Sequence, residues 1–191
     1  MTANAKRSVD PLTREEIKEI LESAIVNSRD YLILRLLART GIRIGELYGV
    51  YNKEHGEWIH GLQKKDIDFR NKSLWVYVVK RKKTTKRQVE VDNVIINMLR
   101  EYTKTMTPED YVFRKTISYN TITQLPRKYA RHAGIEKKVS CRSFRHFFIT
   151  NLWEEGKDIQ YIQYLAGHRD IGTTLLYTRP QNNHLSQNRV I

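Results

Sequence analysis

Apolar positions recur at helical spacing in the first third of the chain, at strand spacing in the middle, and at helical spacing again to the end. Thr13-Arg14-Glu15-Glu16 is a capping-box sequence, and behind it Ile17, Ile20, Leu21 and Ala24 share one face of a predicted helix. From Asp30 the run YLILRLLART predicts a helix buried on most sides, which Gly41 stops as a C-terminal cap. Ile42 to Val50 predicts a short helix, and the polar stretch Tyr51 to Gly61 a loop. From Leu62 the period changes. Ile67 with Phe69, Leu74 to Val79, and Val89 with Val91 are β-rich runs, separated by Arg70-Asn71-Lys72-Ser73 and by the basic turn Lys80 to Lys86. They predict a three-stranded antiparallel sheet whose second hairpin tip is almost wholly cationic. Asp92 caps the next helix, with Val94, Ile95, Met98, Leu99 and Tyr102 inward. Thr103 to Asp110 is a loop and Tyr111-Val112-Phe113 a short extended piece. Ser118 to Ala133 is helical, with Pro126 predicting a kink or a late start, and Gly134 ends it. Ser143 to Tyr177 then reads as helix, turn, helix, a Gly-His turn and a last amphipathic turn. The fold class is α+β: a mostly helical single domain with a small three-stranded antiparallel sheet. Phe144, Phe147, Phe148, Leu152, Ile159, Ile162 and Leu165 are core by spacing.

Composition narrows the partners. The 191 residues carry a net charge of +13 with pI near 9.8, which favours nucleic acid over an anionic membrane surface. No apolar run approaches the ~18 residues of a membrane span, and MTANAKRSVD is no secretory signal. A single cysteine, Cys141, excludes a disulfide framework, and no zinc-ligand spacing occurs. The expectation is an intracellular, cytoplasmic protein with no metal site and no cofactor, and with no membrane partner.

The chemistry concentrates in SFRHFFITNLWEEGKDIQYIQYLAGHRDIGTTLLY. It places Arg145, His168 and Tyr177 at separations of 23 and 9 residues. Arginine offers a two-pronged donor to phosphate, histidine a donor near neutral pH, and tyrosine an oxygen nucleophile. Together they suggest chemistry on a phosphodiester. Upstream, Thr40-Gly41-Ile42-Arg43-Ile44-Gly45-Glu46-Leu47 breaks one helix and begins the next at once. Arg43 therefore sits at a helix start, with Glu46 three positions on to fix its fork. Taken alone, that pair reads equally as a surface ion pair of little worth.

TGIRIGEL, a hairpin with lysines at its tip, RSFRH and LAGHRDIGTTLLYT, in that order, resemble the catalytic domain of the tyrosine recombinases (the phage integrase family) over roughly Leu12 to Arg179. The resemblance implies the DNA breaking-rejoining catalytic-core fold. It also implies a site-specific recombinase that cleaves and rejoins strands through a 3′-phosphotyrosine, without metal or ATP, and assembles as a tetrameric synapse on double-stranded DNA. Carried over by position, Tyr177 attacks the scissile phosphate, Arg43 and Arg145 hold its non-bridging oxygens, His168 donates to it, and Glu46 orients Arg43. A hairpin lysine protonates the leaving 5′ oxygen. Counting back from Arg87-Gln88-Val89, Lys82 or Lys83 falls nearest, and Lys83, before Thr84, is taken. Lys80, Arg81, Lys86 and Arg87 are assigned to DNA-backbone binding.

Two departures stand out. The family's second arginine box usually begins with histidine, and here it begins with Arg142. That side chain stays protonated, so it donates to phosphate as a catalytic candidate and cannot act as a base for Tyr177. Some archaeal viral members are similar in carrying another basic residue there, and a viral or plasmid integrase is the type most resembled. His146, the residue after Arg145, is read as structural. The second departure is an absent N-terminal core-binding domain, so the expected organisation is a flexible leader at 1–10, the catalytic domain at 11–180 and a tail at 181–191, with a fragment preferred to a solo form. Two other classes compete: a DNA-binding module that keeps the fold but not catalysis, and a type IB topoisomerase-like relaxing enzyme.

Overall fold

A computed structural model of the protein describes residues 11–54, 56–79 and 84–177. Thr13 accepts from the Glu16 amide while Glu16 reaches back to the Thr13 amide, so the predicted capping box opens α1 (Arg14–Ala24). The central helix is α2 (Ser28–Thr40). It begins two residues before Asp30, because Asn27 supplies the cap and accepts from the Asp30 amide. Leu32, Ile33, Leu34, Leu36 and Leu37 of α2 are all buried, each worth roughly 1.5–3 kcal/mol of transfer free energy. Around it pack α1, α4 (Asn93–Tyr102), α5 (Tyr119–His132) and α6 (Cys141–Glu154). Pro126 lies within α5, capped by Ser118, so the helix neither starts late nor stops at the proline.

The end of α2 sets up everything that follows. Gly41 takes φ 58°, a left-handed conformation that L side chains resist, and its amide returns to Leu37. A Cβ there would come within 2.2 Å of the Phe148 ring on α6, so glycine is needed for the turn and also for the contact. The chain leaves this turn directly into α3 (Ile44–Leu47), which is shorter than the predicted Ile42–Val50 helix.

The stretch from Tyr51 to Gly61, expected as a loop, contains a two-stranded hairpin. β1 (Val50–Asn52) pairs antiparallel with β2 (Glu57–Ile59). The reason is aromatic: Trp58 packs edge-on against Tyr48 at 5.1 Å and, across the strands, at a tilt against Tyr51 at 5.5 Å, contacts that a polar composition conceals. The expected three-stranded sheet is present as β3 (Ile67–Asp68), β4 (Ser73–Val79) and β5 (Thr84–Glu90), antiparallel throughout, with Leu74 opposite both Ile67 and Val89. One face of this sheet, carrying Leu74, Val76 and Val89, joins the main core. The leader 1–10, the hairpin tip 80–83 and the tail from 178 lie outside the described residues. After α6, the helices α7 (Ile159–Ala166) and α8 (Ile171–Leu175) close over a second, smaller core of Phe148, Ile149, Ile162, Leu165 and Ala166. No helix among the described residues is long and apolar enough to cross a membrane.

Candidate active site

Arg43 caps α3. Its backbone N–H donates to Glu46 Oε2 at 2.9 Å, and its Nη1 donates to Glu46 Oε1 at 2.9 Å, so one carboxylate holds both ends of the residue. The remaining arm, Nη2, reaches the Gly167 carbonyl at 3.0 Å. Arg145, on α6, is 7% exposed. It donates from Nη1 to the Gly41 carbonyl at 2.7 Å and from Nη2 to the Ala166 carbonyl. Both arginines are thus tied to the Gly-His turn that follows α7, and Arg145 also to the turn that ends α2. Burial, together with Arg43 and Arg87, lowers the Arg145 guanidinium to about 10, against the pull of Glu46, which leaves it charged at neutral pH.

Gly167 ends α7 with φ 59°, and its amide returns to Gln163 and Tyr164. A Cβ there would lie 2.8 Å from Arg87 Nε and 3.2 Å from Arg43 Nη1, so a side chain at this position would intrude on two guanidiniums. His168 is held at both ends of its backbone by Gln163, its amide donating to the Gln163 carbonyl at 3.1 Å and its carbonyl accepting from Gln163 Nε2 at 3.2 Å. Its Nδ1 is 2.9 Å from the hydroxyl of buried Thr174, which leaves Nε2 as the outward-facing nitrogen. Burial first, then Arg145, Arg43 and Arg87, push the imidazole down to about 4. His168 is neutral at neutral pH.

Tyr177 follows α8, its amide bonded to the Thr174 carbonyl at 3.0 Å. The ring is half-buried over the second core, stacked on His168 at 5.8 Å and met edge-on by His146 at 4.8 Å. His146 therefore does not point away from the site, as expected from sequence; it forms one wall of the tyrosine's pocket. Burial and then Arg142 lower its imidazole from the ordinary histidine value. The helical wheel turns His146 ~100° from Arg145, but says nothing of α8 returning over that flank.

The structure brings Arg43, Glu46, Arg145, His168 and Tyr177 together. Arg142 lies on the exposed first turn of α6 beside His146. Lys83, its alternative Lys82, and Lys80 and Arg81 lie outside the described residues. Lys86 and Arg87 are placed differently from the solvated backbone-gripping role given to them. Lys86 Nζ is bonded to buried Asp66 at 2.9 Å and lies 4.5 Å over the Tyr77 ring; the Asp66 bond raises its pKa. Arg87 is 4% exposed and donates to Glu46 at 2.7 Å, because β5 alternates and turns this position inward. Among the described residues no group of three or more His, Cys, Asp or Glu is arranged to hold a metal ion.

Helices around a small antiparallel sheet, with one arginine from a helix start and one from within α6 converging on a Gly-His turn and a following tyrosine, constitute a tyrosine recombinase catalytic domain. The chain belongs to the phage integrase family, whose profile matches residues 11–184. It is 32% identical to a tyrosine recombinase of Pseudothermotoga lettingae, over 90% of this chain and 57% of the relative. It is also 32% identical to the tyrosine recombinase XerA of Pyrococcus furiosus, over 92% of this chain and 59% of the relative. Among solved structures it is similar to XerA recombinase, with TM-score 0.73 and 29% identity over 90% of this chain and 61% of that one. The Tn1549 transposon integrase bound to transposon right end DNA shares the fold, with TM-score 0.68 and 20% identity over 94% of this chain and 64% of that one. The chain spans about three fifths of the length of the curated relatives it matches.

Proposed function

We propose that this chain carries the catalytic centre of a site-specific DNA recombinase, cleaving one strand at a time through a 3′-phosphotyrosine. The observation that carries the reading is the convergence of Arg43, Arg145 and His168 beside the Tyr177 ring, Arg43 held by the Gly167 carbonyl, Arg145 by the Ala166 carbonyl and His168 by the Thr174 hydroxyl. The Tyr177 oxygen attacks the scissile phosphorus and the bond to the 5′ oxygen breaks, leaving a 5′-hydroxyl. In the reverse sense, a 5′-hydroxyl from a partner strand attacks the phosphotyrosine and frees the phenol. Arg43 and Arg145 bear the charge that builds on the non-bridging oxygens. Their donors are already fixed by Glu46, Gly41, Ala166 and Gly167, so little reorganisation is left to the reaction. A Thr174 hydroxyl donating to His168 Nδ1 keeps the proton on Nε2, where a neutral imidazole donates to phosphate. Lys83, with Lys82 as the alternative, supplies the proton to the leaving 5′ oxygen. Arg142 replaces the usual histidine as a phosphate donor on the exposed flank. The relatives' names and the DNA bound to the transposon integrase support duplex DNA as the substrate. Recombination by this chemistry needs paired sites, and a tetramer on DNA is the proposed assembly. The catalytic domain is assigned to residues 11–180, with a tail at 181–191.

The test is covalent capture. Wild type and Tyr177→Phe are incubated with a random-sequence pool of nicked duplexes and with supercoiled plasmid, without metal or ATP, and denatured. The expected result is a protein–DNA adduct from wild type alone, enriched for one sequence. Salt-sensitive binding with no adduct sinks catalysis and leaves a binding module. Adducts spread over all sequences with plasmid relaxation favour a topoisomerase-like enzyme.

A further inference from the structure

Arg87 is the most buried cation of the site and the one whose surroundings are hardest to explain by folding alone. Its Nη2 donates to Glu46 Oε2 at 2.7 Å, the same oxygen that accepts the Arg43 amide, while Glu46 Oε1 holds Arg43 Nη1. One carboxylate, itself 3% exposed, thus serves two guanidiniums. The Nε and Nη1 of Arg87 are buried with no hydrogen-bond partner among the described residues. They are not remote from the site: the space above Gly167 is bounded by Arg87 Nε on one side and Arg43 Nη1 on the other. With Arg145 close by, three arginines face one glutamate, and of these only Arg43 reaches solvent to any extent.

Such an arrangement is costly in the empty protein. Unmet buried donors each forfeit their desolvation free energy, and like charges compound it. An apolar side chain on β5 would serve folding better. A phosphate group supplies the missing negative charge. There is also a geometric consequence. Without Arg87, both Glu46 oxygens are held by Arg43 alone, Oε2 by its amide and Oε1 by Nη1, and the carboxylate loses its hydrogen bond to β5. The plane of the Arg43 fork then loses that reference outside its own turn. Because β5 also leads to the hairpin tip, the Arg87–Glu46 bond links the base of that hairpin to the arginine turn.

We propose that Arg87 is a positioning residue for strand cleavage: it fixes Glu46, and Glu46 fixes the Arg43 guanidinium. The inference rests on the function proposed above. Its test uses a nicked duplex of the sequence recovered by covalent capture, with single-turnover cleavage at saturating protein and DNA affinity measured separately. Arg87→Leu is expected to slow cleavage about a hundredfold, the scale of one lost oxyanion donor, while DNA affinity stays within about threefold. Combined with Arg43→Lys, it is expected to cost no more than about threefold beyond Arg43→Lys alone, because both act through one guanidinium. If Arg87→Leu does not fold, Arg87→Lys is measured instead; it keeps the charge but not the fork, and the same loss and non-additivity are expected. Cleavage at the wild-type rate by the Arg87 variant, or a full additional loss in the Arg43→Lys background, overturns the positioning role alone. Absence of adduct from wild type overturns the function, and this role with it.

Discussion

His168 and Tyr177 form a unit in which each determines what the other does. The ring stack and the Thr174 hydroxyl fix the imidazole, and burial, then three arginines, keep it from taking up a proton. The sign of the pH effect follows directly. A histidine lowered to about 4 binds fewer protons folded than unfolded between about pH 4 and its unfolded value near 6.5. Stability is therefore complete above pH 6.5 and falls as the solution is acidified through that window. His60 and His146, both lowered, act in the same direction. We expect the urea midpoint of the wild type to drop between pH 7.5 and 5, and to drop less in His168→Gln. An NMR titration of His168 with a midpoint near 6.5 would contradict the burial and charge assigned to it. At this scale the residue types of Arg145, His168 and Tyr177 pointed to phosphodiester chemistry, and the resemblance carried by TGIRIGEL, RSFRH and LAGHRDIGTTLLYT brought Arg43 to the same site. The sequence did not show that Arg87 turns inward or that His146 walls the tyrosine. Both depend on which face of an element meets a distant one, and neither spacing nor charge records that.

Among the elements, the two glycine turns at Gly41 and Gly167 do the positioning. Each ends a helix in the left-handed conformation, and each presents a carbonyl to an arginine of the candidate site, Gly41 to Arg145 and Gly167 to Arg43. Gly41→Ala would meet both the left-handed penalty and the Phe148 ring. The expected loss is about 3 kcal/mol of unfolding free energy, from strain and overpacking together. Urea denaturation measures it, and adduct formation should fall further than the loss of folded protein accounts for, since the turn carries Arg43. The caps at Thr13 and Asp92 and the glycine stop at Gly41 were legible because each has a local chemical cause. The β1–β2 hairpin was not, because Tyr48, Trp58 and Tyr119 stabilise it through contacts across the fold, and the intervening residues read as polar loop.

Charge belongs to the whole molecule. A net +13 gathers a polyanion whatever its sequence, and counterion release makes that attraction depend steeply on salt. DNA affinity is expected to fall at least on the order of a hundredfold between 50 and 200 mM salt, in the manner of proteins with several phosphate contacts. Fluorescence anisotropy on a random duplex measures this, and a flat response would contradict a backbone-dominated interface. Binding of this kind would bring DNA to the domain, and on the proposed function the arginines, His168 and Tyr177 then act on one phosphate within it.

The most direct measurement is to identify the amino acid joined to DNA. Wild-type protein is captured on its recovered nicked duplex, digested with nuclease and protease, and the nucleotide-bearing peptide is sequenced by mass spectrometry. The account predicts a single modified residue, Tyr177, joined to a 3′-phosphate. A linkage at any other residue, or to a 5′-phosphate, would contradict it.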